Sequence, residues 1–113
     1  MKQNILMIMC DQLRYDCIVG DYVKTPNIDR IRSGGLCFDQ AYSQTPVCIP
    51  ARHSLISGQD AFSLGLVENA STRGEVRYPL AKLVRDQGYY TCVVGKMHFI
   101  PTREHFGFDH MFL

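Results

Sequence analysis

A chain of 113 residues has room for one domain of ordinary size, and a balance of 46% hydrophobic and 20% charged residues excludes disorder, collagen-like repeats and a disulfide miniprotein. Twelve Lys and Arg against eleven Asp and Glu leave a net charge of +1, so no excess field draws the chain to nucleic acid or to a membrane. Area scaling lets a chain of this mass bury about two-thirds of its surface, and any ligand must be recognised locally.

Taken in chain order, Ile5-Leu6-Met7-Ile8-Met9-Cys10 is a continuous apolar run ending in Asp11-Gln12. That pattern predicts a strand buried on both faces of a parallel sheet. Thr25 and Pro26 open a short helix with Ile28 and Ile31 on one face and Gly34-Gly35 as its stop. Leu36-Cys37-Phe38 resumes as an extended segment. A second helix is expected from near Pro50 to Gly58, which places Cys48 at or just before a helix N-terminus, and a third from Pro79 to Gln87. Tyr89 to Val94 is β-branched and aromatic and predicts the next buried strand, ending in Gly95-Lys96. This alternation implies α/β: part of a mainly parallel sheet flanked by helices.

The five cysteines, at positions 10, 17, 37, 48 and 92, are odd in number and lack a pairing pattern, which points to a reducing compartment. Ile5 to Cys10 is shorter than the ~7–15 apolar residues of a secretory leader and the ~20 of a membrane span. A cytoplasmic location is expected.

Ligands of such sheets sit beyond the carboxyl ends of the strands. Asp11 and Lys96 fall there, and Cys48 is at a helix start on what would be the same edge. Cys48-Ile49-Pro50-Ala51-Arg52 forms C-x-P-x-R, in which helix-terminal N–H groups and a cation one turn on would bind an anion and activate a thiol. Gly95-Lys96-Met97-His98 forms G-K-x-H, with a cation and an imidazole two residues apart on one strand face. At this composition chance expects about 0.015 and about 0.011 occurrences of the two patterns, so together they outweigh a buried structural cysteine and a surface histidine.

The pair of motifs, with Asp11 after the first strand, resembles the N-terminal part of a type I sulfatase of the alkaline-phosphatase-like superfamily. Supporting stretches are Asn4-Ile5-Leu6, Thr25-Pro26-Asn27-Ile28-Asp29-Arg30, Phe38-Asp39-Gln40-Ala41-Tyr42, Gly88-Tyr89-Tyr90-Thr91 and Phe106-Gly107-Phe108-Asp109. The resemblance implies that residues 1–113 form an incomplete, N-terminal fragment of a sulfatase catalytic domain. It implies that Cys48 is converted by a formylglycine-generating maturation enzyme to formylglycine, whose hydrate is the nucleophile toward a small sulfate ester. Arg52 would orient the hydrate and offset charge, Lys96 would bind the sulfate oxygens, and His98 would contact the hydrate. A divalent metal, Ca²⁺ before Mg²⁺ or Mn²⁺, would be held by Asp11, by the amide oxygen of Gln12 and by the modified Cys48, with the remaining ligands further along the family's longer chain.

Asp11-Gln12-Leu13-Arg14 departs from the paired aspartates of many sulfatases and resembles the branch with choline sulfatases and phosphonate monoester hydrolases. Phosphonate or phosphate ester hydrolysis is therefore the alternative activity, and a catalytically incompetent fragment, expected to self-associate through uncovered sheet edges, the alternative of another class. Asp16, Asp21, Asp29 and Asp60 read as caps or solvated acids. His53 reads as a packed histidine or one supporting a site residue at least as readily as one acting within the nucleophile helix, His105 and His110 read as surface or fold residues, with a substrate contact the lesser alternative for His105, and Cys10, Cys17, Cys37 and Cys92 as small apolar core residues.

Overall fold

The computed structural model describes residues 2–71 and 75–113. The chain divides into two units, Met1–Ala41 and Tyr42–Leu113.

The first unit contains two helices, α1 (Asp16–Val19) and α2 (Pro26–Gly34). Pro26 opens α2 as expected, because its fixed φ suits the first helical position and its missing N–H would be unpaired there. Thr25 precedes the helix, but its hydroxyl donates to the Asp29 carboxylate (3.1 Å) and caps no backbone group. The short helix α1 was not legible as a periodic pattern; Asp16 stands at its start and pairs with Arg14. The Ile5–Cys10 strand is not formed. Leu6 is 84% and Ile8 75% exposed, and no backbone ladder joins this run to another among the described residues. An apolar run becomes a strand only when a neighbour takes its N–H and C=O groups, and none among the described residues does so. Leu36-Cys37-Phe38 is likewise exposed and unladdered. Among this unit's described residues none is buried.

The second unit contains α3 (Cys48–Ser57), α4 (Leu80–Asp86) and a two-stranded parallel sheet, β1 (Cys92–Val94) and β2 (His110–Phe112). The register pairs Cys92 with His110, Val93 with Met111 and Val94 with Phe112. Helix α3 ends where Gly58 enters the left-handed region at φ 67 and returns its N–H to Ser54 O, a conformation that favours glycine. The predicted strand over Tyr89–Val94 shortens to its last three residues, and Tyr90 and Val94 are exposed rather than buried. Its partner β2 went unread, since three residues after Gly107-Phe108-Asp109 carry no alternation long enough to register.

A polar clamp sets the start of this sheet. Thr91 is buried; its N–H (2.8 Å) and hydroxyl (2.9 Å) donate to Asp109 Oδ2, and the Asp109 N–H donates to Thr91 O (3.0 Å). These donors hold the Asp109 carboxyl below the usual carboxylate range, and Arg85 adds to the effect. Gly107, at φ 91, lets this segment lie against α4: a Cβ there would stand 2.6 Å from the Lys82 backbone nitrogen.

The core lies in this unit. Ile56, Phe99 and Phe106 cluster, with Met97, Phe108 and Met111 packed against them, while Ile49, Leu64, Leu66 and Ala81 are also buried. The cysteines expected in a core are not there: Cys10, Cys37 and Cys92 are exposed and Cys17 half-buried, since the strands that would have covered them are absent or solvent-facing. Asp60 accepts from the Ser63 N–H (2.9 Å) and hydroxyl (2.6 Å), the turn-capping role expected of it, and these bonds lower its carboxyl's pKa. His105 is exposed, with its Nδ1 3.2 Å from Phe108 O, and His110 is exposed on β2.

Candidate active site

Cys48 is the first residue of α3, entered from Val47 in extended conformation. Its thiol is half-buried at the helix N-terminus, as the C-x-P-x-R spacing requires. The first turn offers fewer open donors than expected. The Ile49 N–H donates to Asn69 Oδ1 (2.9 Å), the Ala51 N–H donates to Val47 O (2.9 Å), and Pro50 has none to give. Positive charge for an anion at this terminus must therefore come mainly from side chains.

Lys96 supplies it. Its Nζ lies 4.0 Å from Cys48 Sγ, the outer reach of a hydrogen bond to sulfur. Arg52, only 7% exposed, donates from its guanidinium to the Lys96 carbonyl oxygen at 2.5 Å. Two motifs separated by more than forty residues thus meet at one point, the helix contributing thiol and guanidinium and the segment after β1 contributing the ammonium. Arg52 reaches the site through the Lys96 backbone, a contact that the sequence reading did not foresee.

His98 is placed differently from expectation. The strand ends at Val94, Gly95 turns at φ 95 and His98 itself stands at φ 54, so the period-two alternation that put Lys96 and His98 on one face stops before reaching them. The imidazole is exposed, and among the described residues no hydrogen bond joins it to Cys48.

His53 is fully buried, with an exposure of 0%. Its Nδ1 lies 2.8 Å from the Ile49 carbonyl, which can only accept, so Nδ1 carries the hydrogen and Nε2, which faces both the N–H (3.3 Å) and the carbonyl oxygen (3.4 Å) of Ile100, is left to accept from the N–H. Phe99 and Phe106 meet the ring edge to face, with centroids 5.6 and 5.5 Å away. The expectation of a packed histidine holds. Asn69 was missed altogether, because an isolated asparagine twenty residues from the helix it caps leaves no local signal.

Asp11 and Gln12 belong to the first unit, where both are exposed and Gln12 adopts φ 54. Their oxygens suit a hard divalent cation in kind but not in number, since Ca²⁺ takes six to eight such ligands. Among the described residues no three His, Cys, Asp or Glu side chains gather as a metal site.

The family description Sulfatase matches residues 3–113. The chain is 35% identical to an arylsulfatase from Clostridium perfringens, with all of this chain and 24% of the relative aligned. It is 34% identical to an N-acetylglucosamine-6-O-sulfatase from Bacteroides thetaiotaomicron, over 96% of this chain and 20% of the relative. Against a choline-sulfatase from Rhizobium meliloti the identity is 33%, over 96% of this chain and 22% of the relative. The chain therefore spans under a quarter of the length of these relatives.

Proposed function

This chain belongs to the sulfatase family, and from that premise we propose that it carries the nucleophile-bearing part of a sulfuric ester hydrolase with an alkaline-phosphatase-like α/β fold. The single observation that carries the reading is the meeting of Cys48 and Lys96 at the start of α3, with Arg52 bound to the Lys96 backbone.

Cys48 is the precursor of the nucleophile. Matured to formylglycine and hydrated, residue 48 supplies a geminal diol, one hydroxyl of which can attack sulfur and displace the substrate alcohol, while the other, on losing its proton, expels sulfate and restores the aldehyde. Lys96 places a point charge where the non-bridging sulfuryl oxygens would gather charge. Arg52 holds the Lys96 backbone and adds a second, buried cation beside the reacting group. His98, exposed just beyond Lys96, is proposed to contact the hydrate or the substrate, and Asp11 and Gln12 would offer two oxygen ligands to a divalent metal completed by residues outside this chain. The maturation enzyme and a small sulfate ester are the proposed partners. Self-association of the isolated chain is supported by the exposed Ile5, Leu6 and Ile8. A reducing, cytoplasmic setting is supported by five cysteines without a disulfide.

Peptide mass spectrometry of protein from its native host tests the modification: a thiol-to-aldehyde mass loss at Cys48 is expected, and an unmodified Cys48 in active protein overturns it. In the longer enzyme carrying this chain, Cys48→Ala abolishes aryl sulfate turnover, Lys96→Ala lowers kcat/KM by about 10²–10³-fold, and Cys92→Ala leaves turnover standing. Asp11-Gln12 motivates the second reading, phosphonate or phosphate ester hydrolysis, since an amide in place of a carboxylate makes the site less negative. Faster turnover of a phosphonate ester than of an aryl sulfate selects it.

A further inference from the structure

We infer that His53 is a positioning residue that holds the Lys96-bearing segment against the nucleophile helix, an inference that rests on the reading of Cys48 and Lys96 as partners in one reaction. The segment from Lys96 to Ile100 is pinned to α3 at both ends by consecutive residues of that helix. Arg52 binds the Lys96 carbonyl at one end (2.5 Å), and His53 Nε2 accepts from the Ile100 N–H at the other (3.3 Å).

The ring is well placed to act as a rigid spacer. Nδ1–H is bound to the carbonyl of Ile49, one turn earlier on the same helix and adjacent to Cys48, so the ring orientation is set from the first turn of α3. Phe99 and Phe106, two members of the core cluster, then meet it edge to face. A contact fixed at Ile49 is thereby transmitted to Ile100, four residues beyond Lys96. In this partly buried setting, an Ile100 N–H deprived of its acceptor must find another or shift the segment.

Two isosteric variants separate the contacts. His53→Gln puts an amide oxygen near the position of Nε2 and keeps the acceptor for Ile100, whereas His53→Asn keeps the contact to Ile49 and loses the one to Ile100. Formaldehyde is the proximity probe on the unmodified 113-residue chain: it bridges the Cys48 thiol and the Lys96 amine through one methylene, with loss of water, and peptide mass spectrometry reads the yield. Hydrogen exchange at the Ile100 amide reads the contact itself, and exchange at the Gly58 amide, bound to Ser54 O at the far end of α3, reports whether the helix is intact.

The parent and His53→Gln are expected to give similar bridging. His53→Asn is expected to lower the Cys48–Lys96 yield and the Ile100 protection by about fivefold, the population shift of one ordinary hydrogen bond, with Gly58 protection retained. Unchanged bridging in His53→Asn, or equal losses in both variants, overturns the inference. If Gly58 protection falls in His53→Asn, the role is general packing and the inference also fails. Neither readout uses turnover, so the sulfatase reading stands or falls separately.

Discussion

The two units of this chain use similar sequence material to different effect. Ile5–Cys10 in the first is a longer apolar run than Cys92–Val94 in the second, yet only the latter is a strand. What differs is the supply of partners. Cys92–Val94 has His110–Phe112 to take its backbone groups, and the Thr91–Asp109 clamp fixes where the pairing begins. Ile5–Cys10 has no ladder partner among the described residues. Hydrophobicity marks which segments could be strands; hydrogen-bonded neighbours decide which of them form.

The largest test of that contrast is truncation within each region. Phe99→Ala, which empties a ring site against His53 and Phe106, is expected to cost about 3 kcal/mol, whereas Ile8→Ala should stay within about 0.5 kcal/mol. Urea unfolding followed by circular dichroism reads both, since the chain has no tryptophan. Equal losses would show that the first unit has a core of its own.

A smaller effect is expected at Gly107, where positive φ and the approach of α4 leave no room for a methyl group. Gly107→Ala should lower stability by about 2 kcal/mol and loosen the packing of α4, read as faster exchange of the Leu83 amide. A neutral result would mean that the contact with Lys82 yields easily.

The subtlest test uses pH. Because the Thr91 donors favour the ionised form of Asp109, its folded-state pKa lies below its unfolded value. The stabilisation is fully present above the unfolded pKa of ~3.9 and is lost as pH falls through the lowered folded value. Asp109→Asn should therefore reduce stability at neutral pH and flatten its decline in acid. Identical acid limbs for the parent and Asp109→Asn would remove the clamp from the account.

Much of the site was legible because its signals are local. Pro26, Pro50 and Gly58 punctuate helices by fixed φ or by tolerance of positive φ, and these constraints act within one turn of chain. C-x-P-x-R placed Cys48 at a helix start, and G-K-x-H marked Lys96 at the end of a strand. The alternation rule failed at His98 because it presumes an extended backbone, and Gly95 had already ended one.

The sequence by itself determined the family, the start of α3 and the pair of residues, Cys48 and Lys96, to be brought together. Tertiary structure alone decided that Arg52 binds the Lys96 carbonyl, that Asn69 caps Ile49, that Thr91 and Asp109 start the sheet, and that Ile5–Cys10 has no ladder partner among the described residues. The physical reason is range: propensity and capping are settled by neighbours in the chain, whereas a buried hydrogen bond or a strand partner depends on which distant segment arrives, and no local pattern encodes that arrival.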